Sequence, residues 1–152
     1  MRTIVGLALL LSAQLSAADP GIAMYWSAAA AATVDKQAAE RIDPRLHLGE
    51  ARLMDSVAVI HRDGPSEVEI HTAQADFILV RAGQATVLVG GTADGARPSA
   101  RGERRGGQIQ GGARYTLKAG DQLYVPANTP HQFLVEAGKT FTATIVKITP
   151  KK

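Results

Sequence analysis

An all-β domain, a sandwich or closed barrel preceded by one helix, is the fold class that the sequence predicts. Three observations carry this. Short runs rich in β-branched and apolar residues recur at 56–62, 67–71, 76–82, 84–89, 113–117, 121–125, 131–136 and 140–148. Gly, Pro, Asn or Asp punctuates most of the junctions between them. No repeat period appears and the runs do not alternate with helices, which argues against a parallel α/β sheet. A chain of 152 residues that is 45% apolar and 20% charged suits one domain with a real core.

The elements follow in chain order. Arg2 precedes an apolar run from Ile4 to Leu15, and Ser16-Ala17-Ala18 then supplies a small-residue cleavage site before Asp19. This predicts a signal peptide over 1–18 and a periplasmic or secreted mature protein of 152 − 18 = 134 residues. The apolar run is too short to span a bilayer, which takes about 20 residues. Residues 19–52 form an amino-terminal helical extension. Ser27 can cap a helix that starts at the alanine run 28–32 and reaches Ile42, where Asp43-Pro44 stops it. The β domain occupies 53–148, and 149–152 are a tail. Residues 90–112 differ in kind, holding eight of the chain's 15 glycines together with Arg97, Arg101, Arg104 and Arg105. They predict a long exposed loop, serving either as a solvated connection or as an anion-attracting lip over a pocket.

Composition closes several routes. With no cysteine, disulfides, thiolate ligands and cysteine nucleophiles are excluded. A formal charge of +3 does not call for a nucleic-acid partner, and the basic segment lacks the aromatic residues of a single-strand platform. No serine elbow, phosphate loop or dinucleotide fingerprint is present.

The remaining chemistry lies on the strands. In "EVEIH" a period of two puts Glu67, Glu69 and His71 on one face, and Asp76 opens the next strand. In "GDQLYVPANTPHQF" Pro126 and Pro130 stiffen a turn in which Asn128 accepts positive φ, so His131 starts the returning strand. His61 follows Val57 and Val59 on one strand face, and reads as packing or as a cavity lining. His47 reads as surface.

Two spacings emerge: Glu69-x-His71-x4-Asp76-x6-Gly83, and Gly120-x5-Pro126-x-Asn128-x2-His131. At these residues the chain resembles the cupin superfamily, whose motifs read G-x5-H-x-H-x3–4-E-x6-G and G-x5-P-x-G-x2-H-x3-N. The resemblance covers roughly 53–148. It implies a single jelly-roll β-barrel with the amino-terminal helix appended, and a divalent transition metal (Fe, Mn, Ni or Zn) held by His71, Asp76, His131 and Glu69. Four departures accompany it. Glu69 stands where the family has a histidine, Asp76 where it has glutamate, Asn128 where it has glycine, and Val135 where it has asparagine. Two imidazoles with one or two carboxylates still suit such a metal and leave positions open.

The expected function is therefore an exported cupin that binds a metal and acts on or binds a small molecule. The alternatives are a metal-free ligand-binding module, and an isomerase-like protein using His71 or His131 as a base beside Asp76. Motif residues do not choose between catalysis and binding. The resemblance also raises a homodimer, and the helix is equally suited to capping its own barrel.

Overall fold

The structure is a computed structural model, and it describes residues 23–99 and 102–149. The expected leader at 1–18, Arg101, and residues 150–152 of the tail lie outside the described residues. Helix α1 spans Ala28–Glu40, and the Ser27 hydroxyl caps it by accepting from the Ala30 amide at 3.2 Å. Among the described residues twelve strands follow: β1 Gly49–Met54, β2 Val57–Arg62, β3 Glu69–His71, β4 Ala75–Val89, β5 Thr92–Asp94, β6 Arg97–Pro98, β7 Glu103–Arg105, β8 Gln108–Gln110, β9 Ala113–Lys118, β10 Gln122–Val125, β11 His131–Leu134 and β12 Phe141–Ile148. Among the described residues, no helix is long and apolar enough to cross a membrane.

Among the described residues every strand pairing is antiparallel. The predicted strands 76–82 and 84–89 are one continuous strand, β4, that bends at Gly83. There φ is 75°, and a Cβ would meet the Thr140 carbonyl oxygen at 2.0 Å. Up to the bend β4 pairs with β12 and β10, and beyond it with β11 and β9. One strand thereby serves two facing layers: β1-β2-β12-β4-β10, and β9-β4-β11-β3-β7-β6. Between the layers lies an apolar core containing Ile78, Val87, Val125, Phe133, Phe141 and Ala143. Phe141 and Ile78 are fully buried, each stabilising the fold by about 1.5–3 kcal/mol.

Two sequence expectations need correction. The β region begins before residue 53, because β1 (Gly49–Met54) pairs with β2 from Gly49↔His61 onward. Glu50 and Arg52 on its exposed face obscure the strand. Residues 90–112 are not a long loop. β5 and β8 pair as a separate two-stranded sheet, and between them in the chain β6 pairs with β7, which pairs with β3. Paired glycines at positive φ, Gly90/Gly91 and Gly106/Gly107 among them, turn the chain sharply between these short strands.

The helix caps its own domain. Ala38, Ala51 and Val59 form a small second core with Val34 and Leu53 against it. Its backbone approaches β1 so closely that a Cβ on Gly49 would sit 1.8 Å from the Ala38 carbonyl oxygen. Asp35 on the helix also meets Arg81 of β4 at 2.7 Å.

Candidate metal centre

The turn before β11 sets the site. Asn128 adopts φ 59° and its amide donates to the His71 carbonyl at 2.8 Å. This ties the turn to the end of β3. His131 then enters β11 opposite Glu69 on β3 and opposite Val89 on β4. The rings of His71 and His131, 60 positions apart, stand 5.1 Å centroid to centroid.

Glu69, His71 and His131 are all buried, and one donor atom from each lies within 4.8 Å of the others. Asp76 joins them from the start of β4. Its Oδ2 lies 3.2 Å from His71 Nε2 and 3.7 Å from His131 Nε2. All four residues singled out by the motif spacings thus meet at one place. His61 does not. Ala58, Ile60 and Arg62 of β2 line the cavity, whereas His61 turns to the other side and pairs its Nδ1 with Thr142 Oγ1 at 2.8 Å. His47 is half-exposed, against Asp63 at 2.8 Å.

Charged residues outside the two motifs surround these four. Glu69 Oε1 accepts from Arg62 Nη2 at 3.2 Å and from Arg105 Nη1 at 3.0 Å. The other oxygen, Oε2, lies 3.8 Å from His71 Nε2. Asp76 Oδ1 meets Lys147 Nζ at 2.6 Å, leaving Oδ2 toward the imidazoles. His71 Nδ1 lies 3.2 Å from Glu103 Oε1, and Glu103 Oε2 accepts from Arg105 at 2.9 Å. His131 Nδ1 lies 3.2 Å from the Thr129 carbonyl. Sequence reasoning gave no role to Arg62, Glu103 or Lys147. It noted Arg105 only as part of a basic loop.

These surroundings set the charge states. Burial pushes Glu69 up, but Arg62 and Arg105 outweigh it and hold the carboxyl below its usual range. Burial likewise raises Asp76, and His71 and Lys147 bring it below its ordinary value. For His71, burial favours the neutral ring, yet the Asp76 carboxylate beside it raises the net value. His131 has no such close partner, and burial holds it low. Both ring nitrogens of His71 and Nε2 of His131 are buried without an aligned hydrogen bond. A buried group in that condition is an exception that calls for a physical reason.

The Glu69, His71 and Asp76 side chains face a cavity of about 680 Å³. Leu48, Ile60, Phe133 and Ile145 form its apolar wall, and Arg62, Arg105 and Lys147 stand on the ionic side.

A likeness among solved structures decides the fold. TT1209 from Thermus thermophilus aligns with TM-score 0.51 and 15% identity, over 72% of this chain and 89% of that one. This chain has the cupin fold. Further similar structures are the polyketide cyclase RemF from Streptomyces resistomycificus, at TM-score 0.48, 15% identity and coverage of 69% and 68%, and a sugar phosphate isomerase of a cupin superfamily from Silicibacter pomeroyi, at TM-score 0.46, 16% identity and coverage of 68% and 60%. No family model matches the sequence, and no curated protein matches it. Within this cupin barrel, the donor set fits a divalent transition metal by its chemistry: two imidazoles and one or two carboxylates, with buried nitrogens that lack aligned partners.

Proposed function

We propose that the protein is an exported single-domain cupin that holds one divalent transition metal at Glu69, His71, Asp76 and His131, and binds or transforms a small molecule in the adjoining cavity. One observation carries the metal reading. Each donor turns one atom inward while a group outside the cluster stands against its other polar atom: Arg62 and Arg105 hydrogen-bond to Glu69, the Thr129 carbonyl pairs with His131 Nδ1, Lys147 Nζ lies 2.6 Å from Asp76 Oδ1, and Glu103 Oε1 lies 3.2 Å from His71 Nδ1. Ligands held from behind in this way are the usual mark of a tuned metal site. Fe, Mn, Ni and Zn all suit the donors.

A divalent ion there supplies Lewis acidity toward a ligand oxygen. The chain's own residues supply the rest. Arg62 and Lys147 fix the carboxylates, while Ile60, Phe133 and Ile145 provide an apolar wall beside the ionic one. This suits a ligand with an apolar body and a polar, oxygen-bearing end.

Metal analysis of freshly purified protein tests the reading, together with melting of wild type and the His71→Ala/His131→Ala pair in Mn(II), Fe(II), Ni(II) and Zn(II). Stoichiometric metal and a shift confined to wild type are expected. Equal shifts in both proteins, or none with any of the four ions, leave a metal-free cavity. That second reading has its own support, since Arg62, Arg105 and Lys147 already neutralise Glu69, Glu103 and Asp76. Turnover of a substrate panel separates catalysis from binding. Export rests on the sequence of residues 2–18. Intact mass of protein from an export-competent host should begin at Asp19, and a retained Met1 in the extracytoplasmic fraction would refute it.

A further inference from the structure

Glu103 and Arg105 reach the site from the segment whose composition marks it as a loop. They arrive on β7, a strand only three residues long, yet its register against β3 is well anchored. The Gly106 amide donates to the Val68 carbonyl at 2.9 Å, the Thr72 hydroxyl donates to the Gly102 carbonyl, and the Ser99 amide donates to the Glu103 carbonyl at 2.7 Å. This register sets Arg105 opposite Glu69 and Glu103 opposite His71, so these two β7 residues each face one candidate donor. Arg105 spans the two acids, giving Nη1 to Glu69 Oε1 at 3.0 Å and Nη2 to Glu103 Oε2 at 2.9 Å. The guanidinium fork thereby fixes where Glu103 Oε1 points, which is toward His71 Nδ1 at 3.2 Å.

We infer that Glu103, braced by Arg105, is a positioning residue for His71: its Oε1, 3.2 Å from Nδ1 though not aligned as a hydrogen bond, stabilises the ring proton on Nδ1 and so keeps the Nε2 lone pair facing the centre. The inference rests on the metal reading for its purpose, and on cross-strand geometry for its existence. A neutral imidazole carries one proton, and a metal takes the nitrogen without it. His71 has carboxylates on both sides, with Asp76 Oδ2 3.2 Å from Nε2. Without Glu103, the proton settles on Nε2 against Asp76 and blocks the donor atom. With Glu103 present, a stable alternative exists on the far side of the ring. Arg105 has a second effect, because it engages Glu69 on the same oxygen as Arg62 and leaves Oε2 free.

Ring ¹⁵N shifts of His71, measured on metal-free protein at alkaline pH where both rings are neutral, test the first claim. Zn(II) titration of the same proteins tests its consequence. Glu103→Ala and Glu103→Thr should both move the His71 population toward the Nε2–H tautomer and weaken Zn(II) binding by about 10- to 100-fold. Thr retains a strand-forming residue should the Ala variant fold poorly. Glu103→Gln keeps an acceptor oxygen and should restore both the tautomer and the affinity toward wild type. A tautomer population unchanged in all three variants overturns the inference, as does a Gln variant as impaired as the Ala variant. If wild type binds no Zn(II), the metal reading falls, and the tautomer comparison still decides whether Glu103 positions the ring.

Discussion

Replacing Arg62 with methionine perturbs the site at its most enclosed charge. The Arg62 side chain is 3% exposed, donates to Glu69 Oε1 at 3.2 Å, and carries its guanidinium 5.1 Å from the centroid of Phe133. Breaking a buried ion pair from one side costs about 3–5 kcal/mol, because the remaining charge stays buried and uncompensated. Arg105 remains on the same oxygen at 3.0 Å, but it is 39% exposed and holds Glu69 in a more solvated setting. The loss should therefore fall near the lower end, about 3 kcal/mol, or roughly 10 °C in melting temperature for a domain of this size. Urea unfolding at neutral pH with metal chelated measures it. Arg62→Met/Glu69→Met removes both charges together, so it should recover most of that loss, with a coupling of about 2 kcal/mol. A loss below about 1 kcal/mol for Arg62→Met, or strict additivity in the cycle, would show that water reaches Glu69 and that the ionic floor is not enclosed.

In chelated protein the raised value of His71 gives stability that is full below its unfolded value of 6.5 and lost as pH rises through the folded one. The lowered value of His131 works oppositely, giving stability that is full above 6.5 and lost as pH falls. The urea midpoint should therefore peak near pH 6.5, with His71→Asn flattening the alkaline limb, and a midpoint still rising at pH 8 in wild type would contradict this. Metal must displace the His71 proton, so calorimetric titration with Zn(II) at about pH 6 should release close to one proton per site, read from buffers of differing ionisation enthalpy. Heats independent of the buffer would count against His71 as a ligand. Gly49→Ala should destabilise by about 1–3 kcal/mol, because the Cβ would lie 1.8 Å from backbone of the docked helix. Unfolding equal to wild type would mean that the helix is not seated on β1.

What could be read from the sequence was local. The turn 126–130 announces itself through Pro126, Asn128 and Pro130, and it places His131 as the spacing predicts. Alternation along 67–71 puts Glu69 and His71 on one face, and both reach the site. Strand β2 shows where alternation fails. Helix α1 covers one face and the cavity lies on the other, so both faces are occupied and the period of two does not tell which is which. His61 therefore reads equally as packing or as a cavity lining, and no local pattern marks Arg62 as a cavity residue. Strand β7 fails for a different reason. With three residues, two arginines and flanking glycines, it has no apolar pattern of its own, and its place is set by β3. Lys147 is the one charged residue of β12, and its partner Asp76 is 71 positions away in the chain. Such pairings are tertiary facts with no local signal.

The missed residues also bear on why this barrel gathers so much charge at one place, half of it buried. Glu69, Asp76 and Glu103 face Arg62, Arg105 and Lys147, and a network of that kind costs desolvation that apolar packing avoids. Stability alone does not account for it, since well-packed apolar replacements are often neutral or stabilising. Nor do the cations consume the carboxylates. Glu69 presents only Oε1 to its two arginines, Asp76 gives Oδ1 to Lys147, and Glu103 gives Oε2 to Arg105. The second oxygen of each acid is turned to an imidazole. A network that existed only to neutralise charge would have no reason to leave Nε2 of both imidazoles buried without an aligned partner. Divided carboxylates of this kind are what a site needs when one oxygen must be held still so that the other can bind. The cations, which at first count against a metal, thus become part of the case for one.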